Sequence, residues 1–132
     1  MEIKYNESTH LRPEGERILD APLVTIDLKD FTKTIKSESA WKEKDRNAIT
    51  VYKTNGLRMV LMAMHKNAVL ERHTADGIIS VQVLEGEINF TTDDKEVTLK
   101  EGEMLALHRG LHHSVEAVKE SVFLLTISQL IS

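Results

Sequence analysis

Ile78-Ile79-Ser80-Val81-Gln82-Val83-Leu84-Glu85-Gly86-Glu87-Ile88-Asn89-Phe90-Thr91 holds two short apolar runs on either side of a glycine. Its opening run is rich in β-branched side chains, which fit a pleated strand better than a helix. Glu85-Gly86 breaks that run and a second short apolar run follows at once, the pattern of paired strands around a glycine turn. The same rhythm continues in both directions. Upstream lie Ala48–Lys53 and Leu57–His65, separated by Thr54-Asn55-Gly56. Downstream lie Lys95–Leu99, Met104–Leu107, His113–Val118 and Ser121–Ile127, punctuated by Asp93-Asp94, Glu101-Gly102, Arg109-Gly110 and Lys119-Glu120. Many short strands at close spacing predict an all-β sandwich or barrel from Ala48 onward.

The leading segment follows another period. Leu28, Phe31 and Ile35 recur at spacings of three and four, which predicts an amphipathic helix from about Asp27 to Ser37, capped by Thr25 or Asp27. Residues 1–20, with Pro13 and Gly15 and no clear period, read as an irregular or strand-exchanged arm. The expected organisation is an N-terminal arm and helix, 1–47, packed on a barrel, 48–132, as one structural domain. Trp41 falls between helix and first strand, where it either plugs a barrel end or staples the surface locally.

A chain of 132 residues suits one domain with its own core. It has no cysteine, which excludes disulfides and thiolate chemistry and fits a cytoplasmic location. Met1-Glu2-Ile3-Lys4 does not open a basic-then-apolar leader, and Val122–Ile131 is too short and too interrupted for a membrane span, so no membrane partner is expected. With 17 basic and 21 acidic residues the net charge is −4. The densest charged run, Lys42-Glu43-Lys44-Asp45-Arg46, mixes signs and reads as a solvated turn. Without a basic stripe no nucleic-acid partner is expected.

Two segments, 67–86 and 102–117, resemble the paired motifs of the cupin superfamily, in the manner of small uncharacterised bacterial cupins. His73 matches the first ligand histidine of the first motif and Gly86 its closing glycine; Asn67 replaces the opening glycine and tolerates the same left-handed backbone. Ala75 and Ile79 stand where the motif has its second histidine and its glutamate. In the second motif Gly102, Gly110 and His113 match, while His108 replaces the proline and Ala117 the asparagine. The resemblance implies a cupin-type double-stranded β-helix, or jelly-roll barrel, with a short N-terminal helix. It also implies His73 and His113 as candidate ligands to a divalent transition metal: iron, zinc, nickel or manganese. Such metals usually need three or four donors, and Glu71, two residues before His73, is the nearest further carboxylate. The competing reading is of retained core histidines that hydrogen-bond a neighbour. His65, His108 and His112 read as strand-end or loop residues.

Alternation along a strand places Glu71, His73 and Ala75 on one face, Ile79, Val81 and Val83 on another, and His113, Val115 and Ala117 on a third. In the family pattern these faces point into the barrel. The ligand-binding candidates are therefore His73, His113, Glu71, Ala75, Ile79 and Val81, two histidines in an apolar lining suited to a small molecule. Catalytic residues stay unassigned. Three functions remain open: a small-molecule-binding protein, a metal-dependent oxygenase or isomerase using His73 and His113, and a structural or interaction protein with a closed barrel. Leu57–Met64 is apolar on both faces apart from Arg58, so its outer face needs cover from the arm or from a second copy, and a homodimer is expected.

Overall fold

Strand-forming residues from Arg46 onward build two antiparallel sheets in the computed structural model, which describes residues 4–6 and 17–129. The elements are β1 (Lys4–Asn6), β2 (Arg17–Asp20), α1 (Leu28–Ser37), α2 (Ser39–Glu43), β3 (Arg46–Thr54), β4 (Leu57–Met64), β5 (Val69–His73), β6 (Ile78–Glu85), β7 (Glu87–Thr92), β8 (Glu96–Lys100), β9 (Met104–Leu107), β10 (His113–Ala117) and β11 (Ser121–Ser128). One sheet runs β3-β4-β11-β6-β9 and the other β5-β10-β7-β8, with β1-β2 as a separate pair. From β4 to β11 the chain changes sheet at every connection except the β7–β8 hairpin. That alternation is the jelly-roll path, and it satisfies the backbone within two facing layers. The ladders form two sheets rather than one continuous ring.

The core between the sheets follows from alternation. Ile79, Val81 and Val83 on β6, with Phe123 beside them on β11, face Phe90 on β7 and Val115 on β10 across the interior, all nearly fully buried. Met62 and Met64 of β4 turn the same way, whereas Met59 turns outward. The outer face of the five-stranded sheet is covered by the chain itself: Ile35 of α1 and Trp41 of α2 pack on Ile49, Val51, Leu61 and Ala63. The two-sided apolarity of β4 is thus met by the helices. Trp41, expected in a linker, lies in α2, is 7% exposed and stacks on His65 with ring centroids 3.4 Å apart. Nε2–H of His65 donates to the Trp41 carbonyl at 2.9 Å, so one residue holds both the ring and the backbone of that short helix.

Helix α1 begins where Asp27 accepts from the backbone N–H of Asp30, an N-cap bond. It ends at Glu38, whose extended backbone separates α1 from α2. Asn47, 7% exposed at the start of β3, latches this corner: its amide donates to the Ile35 carbonyl at 2.9 Å and to the Glu38 carboxylate at 2.8 Å. An unpaired carbonyl at a buried helix end is costly, so Asn47→Ala is expected to lose about 2–3 kcal/mol of stability. Denaturant unfolding checks this; a loss near zero would mean that water replaces the amide there. In the same last turn of α1, burial opposes the charge on Lys36, but hydrogen bonds to Glu85 and Glu120 outweigh it and raise its pKa above the ordinary lysine value.

The register of β3 against β4 shifts between Thr50 and Tyr52, a bulge. Arg17 of β2 donates to the Thr50 carbonyl there, and its guanidinium lies 5.8 Å from the centre of the Phe31 ring. One side chain therefore joins β2, the bulge and α1. The arm reading for Pro13 and Gly15 lies outside the described residues. Among the described residues no helix is long and apolar enough to cross a membrane.

Candidate functional site

Strand β10 sets the site. His113, Val115 and Ala117 share its inward face, and all three are buried. His113 is at the end of that row, 5% exposed, directly opposite His73 on β5 and Thr92 on β7. Its ring lies parallel to Phe90 at 5.3 Å and edge-on to His73 at 4.3 Å. The sequence runs from solvent inward: exposed His73, buried His113, buried Phe90.

A bulge makes that pairing. Val115 is paired with Leu70 and His113 with His73, so β5 carries one residue more than β10 between the two pairs. Leu70 packs on the interior, and without the extra residue its successor on that face would be Arg72. With it, His73 comes into line with His113, the re-aiming for which bulges are known. Simple alternation, which groups Glu71 with His73 and Ala75, fails here for that reason. Glu71 lies within the bulge and is exposed, and it meets His73 through its carbonyl. Ala75 lies beyond the end of β5, partly buried against the interior core. Ile79 and Val81, each 2% exposed, belong to that core on β6, where Ile79 pairs with Leu107 of β9.

The two histidines share one device. Nδ1–H of His73 donates to the Glu71 carbonyl at 2.6 Å, and Nδ1–H of His113 donates to the Leu111 carbonyl at 3.1 Å. A carbonyl only accepts, so each Nδ1 keeps its hydrogen and each neutral ring leaves a lone pair on Nε2. Burial pushes the pKa of His113 below the usual histidine value; the Leu111 carbonyl opposes this, and the neighbouring His73 and His112 add to the lowering. The sign follows. Below about pH 6.5 the unfolded chain takes up a proton that His113 resists in the fold, so stability falls as pH drops from there through the lower folded pKa. Thermal unfolding from about pH 7.5 to 5 is expected to show a smaller loss in His113→Phe than in the parent. Parallel profiles would remove His113 as the cause.

Arg72, turned away by the bulge, donates to both carboxylate oxygens of Asp93 at 3.0 and 3.2 Å, tying β5 to the β7–β8 turn. His112 is exposed with Nδ1 3.9 Å from the same carboxylate, and His108 is exposed in the β9–β10 loop. Backbone N–H of Gly110 donates to the Ala75 carbonyl, joining that loop to the β5–β6 loop. Phe90 and the Arg72–Asp93 pair are the site features that sequence reading missed. Strand alternation puts Phe90 inside, but its place under His113 depends on the β7–β10 register.

A metal ligated at Nε2 would suit these rings, since ligating histidines commonly donate their other N–H to a carbonyl. The donor count does not suit it. Among the described residues no group of three or more His, Cys, Asp or Glu side chains is placed to hold a metal ion. His73 and His113 supply two donors, Ala75 and Ile79 supply none from their side chains, and the Glu71 carboxylate joins no such group.

Comparison with known proteins bears on the fold. Residues 60–128 match the family model described as Cupin domain. A cupin-2 domain containing protein from Shewanella frigidimarina is similar at 19% identity with a TM-score of 0.63, over 78% of this chain and 93% of that one. A Cupin 2 conserved barrel domain protein from Leptotrichia buccalis is similar at 31% identity with a TM-score of 0.61, over 65% of this chain and 42% of that one. KdgF from a Halomonas species is similar at 18% identity with a TM-score of 0.61, over 67% of this chain and 84% of that one. No curated protein matches the chain.

Proposed function

Since the chain belongs to the Cupin domain family, we propose that it is a small-molecule-binding cupin whose recognition groups are His73 and His113 at one end of an apolar interior. The observation that supports this most is the cross-strand pair itself. Two rings 4.3 Å apart are brought into register by a bulge and fixed by matching Nδ1 hydrogen bonds. A bulge leaves a backbone irregularity that simple packing does not require, and such irregularities gather beside binding sites. In this reading His73 and His113 contact the ligand, Ala75 and Ile79 border it, and Val81 lies deeper. Glu71 contributes its carbonyl to His73.

Saturation-transfer NMR against a library of small metabolites, followed by mapping of hits on histidine-labelled protein, tests the reading. Hits that move the signals of His73 and His113 and weaken in His113→Phe support it. A library with no hits, or hits that all map elsewhere, would favour the closed structural barrel. Stoichiometric iron, zinc, nickel or manganese in protein purified without a tag would favour the metal-dependent enzyme instead.

The same proposal takes the protein as a cytoplasmic homodimer. The lack of cysteine supports the location. Exposed apolar side chains, Leu23 at 82% and Met104 at 58%, support self-association. Sedimentation equilibrium showing a single species of 15.0 kDa at micromolar concentration would overturn the dimer.

A further inference from the structure

The matching hydrogen bonds of His73 and His113 decide what kind of group the pair offers. Each Nδ1–H is spent on a backbone carbonyl, of Glu71 and of Leu111. Each neutral ring then presents Nε2 as a bare lone pair, directed away from the carbonyl that holds it. The rings lie edge to face, and the inner one rests flat on Phe90 at the head of an apolar row that continues through Val115. Arg72, the cation on β5, is engaged by the Asp93 carboxylate. The pair is therefore a set of hydrogen-bond acceptors beside an apolar wall. A hydroxyl on an apolar body complements it, because the O–H donates to Nε2 while the body packs on carbon. A carboxylate brings only acceptors. It would lose its hydration and meet lone pairs with no proton between them.

We propose, resting on the reading of this pair as the ligand site, that it selects uncharged hydroxyl-bearing ligands of the phenol or alcohol class over carboxylates of the same shape. The selection comes from the tautomer that the backbone imposes. It requires no further residue, and it follows from the positions of two carbonyls that side-chain substitution leaves in place.

The test uses the full chain with nitrogen-15 in its histidines, at about pH 8, where unperturbed imidazole is neutral. Long-range nitrogen–proton correlation reads the tautomers directly. Protonated Nδ1 and bare Nε2 are expected in both rings. The protein is then titrated with phenol, benzoate and toluene, three probes of one shape that differ in donor and charge. Phenol is expected to move Nε2 of both histidines and to bind about ten-fold tighter than benzoate, the scale of one net hydrogen bond. His113→Phe is expected to lower the ratio of phenol to toluene affinity about ten-fold. Benzoate binding as well as phenol, or Nε2–H tautomers in both rings, would overturn the selectivity while leaving the pair a ligand site. If none of the three probes moves His73 or His113, the ligand-site reading falls and the selectivity falls with it.

Discussion

Gly86→Ala is expected to destabilise the protein by about 3–5 kcal/mol, while Gly102→Ala costs about 1–2 kcal/mol. Both glycines have left-handed backbone, with φ of 87° and 86°, so the conformational penalty for a side chain is shared. The surroundings differ. A Cβ on Gly86 would stand 2.3 Å from the Glu120 carbonyl oxygen and 2.4 Å from Ser121 Oγ, whereas a Cβ on Gly102 meets nothing within 4 Å. Ser121 cannot yield. It is fully buried, and its hydroxyl shares its one hydrogen between the carbonyls of Lys119 and Glu87 and accepts from the Glu87 N–H. The β6–β7 turn would have to leave β11, and with it the junction between the two sheets. Urea unfolding of the two variants measures the difference. Equal losses would show that the turn relaxes around the new methyl and that the close approach is not rigid. Total stabilities of about 5–15 kcal/mol are usual for single domains, so the Gly86 variant is expected at the edge of folding.

The second large effect is expected at Phe90. Phe90→Ala removes a fully buried ring from the interior and should cost about 3–5 kcal/mol, whereas Phe90→Leu, which keeps most of the volume, should cost less than about 1.5 kcal/mol. The site should respond as well, because Phe90 is the surface on which His113 lies. Without the ring, water reaches His113 and its lowered pKa moves back toward the ordinary histidine value. Histidine signals followed by NMR through a pH titration read this separately from stability. A His113 titration unchanged in Phe90→Ala would mean that the β-sheet and Leu111, and not the stacked ring, set its environment. A titration restored in Phe90→Ala but not in Phe90→Leu would show that exclusion of water, by any apolar group, is what matters.

Much of the fold was legible before any coordinates. The strands from Ala48 onward, the glycine turns and the helix to Ser37 all follow from local chemistry: β-branched runs, left-handed glycines, and apolar residues at helical spacing; between Thr25 and Asp27 as its cap, the structure decided for Asp27. The helix at Ser39–Glu43 was not, because a five-residue helix carries too little pattern and is held by Trp41, His65 and Asn47. The cover of β4 shows the same limit. Two-sided apolarity said that the outer face must be buried, and only the packed chain supplied Ile35 and Trp41 as the cover.

At the site the division is sharper. Residue identities were enough to single out His73 and His113 and to mark Ala75 and Ile79 as positions without metal-donating side chains. The direction of β5 was not in them, because a strand's faces are readable only while its period of two is unbroken. The extra residue between Leu70 and His73 breaks it, turns Glu71 and Arg72 outward from the row, and sets His73 against His113. Strand pattern alone pointed to a sandwich or barrel, and the motif resemblance added the jelly roll and its pair of histidines. The folded chain adds that these histidines meet, that Phe90 lies beneath one of them, and that each keeps its hydrogen on Nδ1. The first two depend on register between strands far apart in the chain, which the packing of the whole sandwich fixes, and the third on backbone that brings the Glu71 and Leu111 carbonyls, each two residues back, onto the rings.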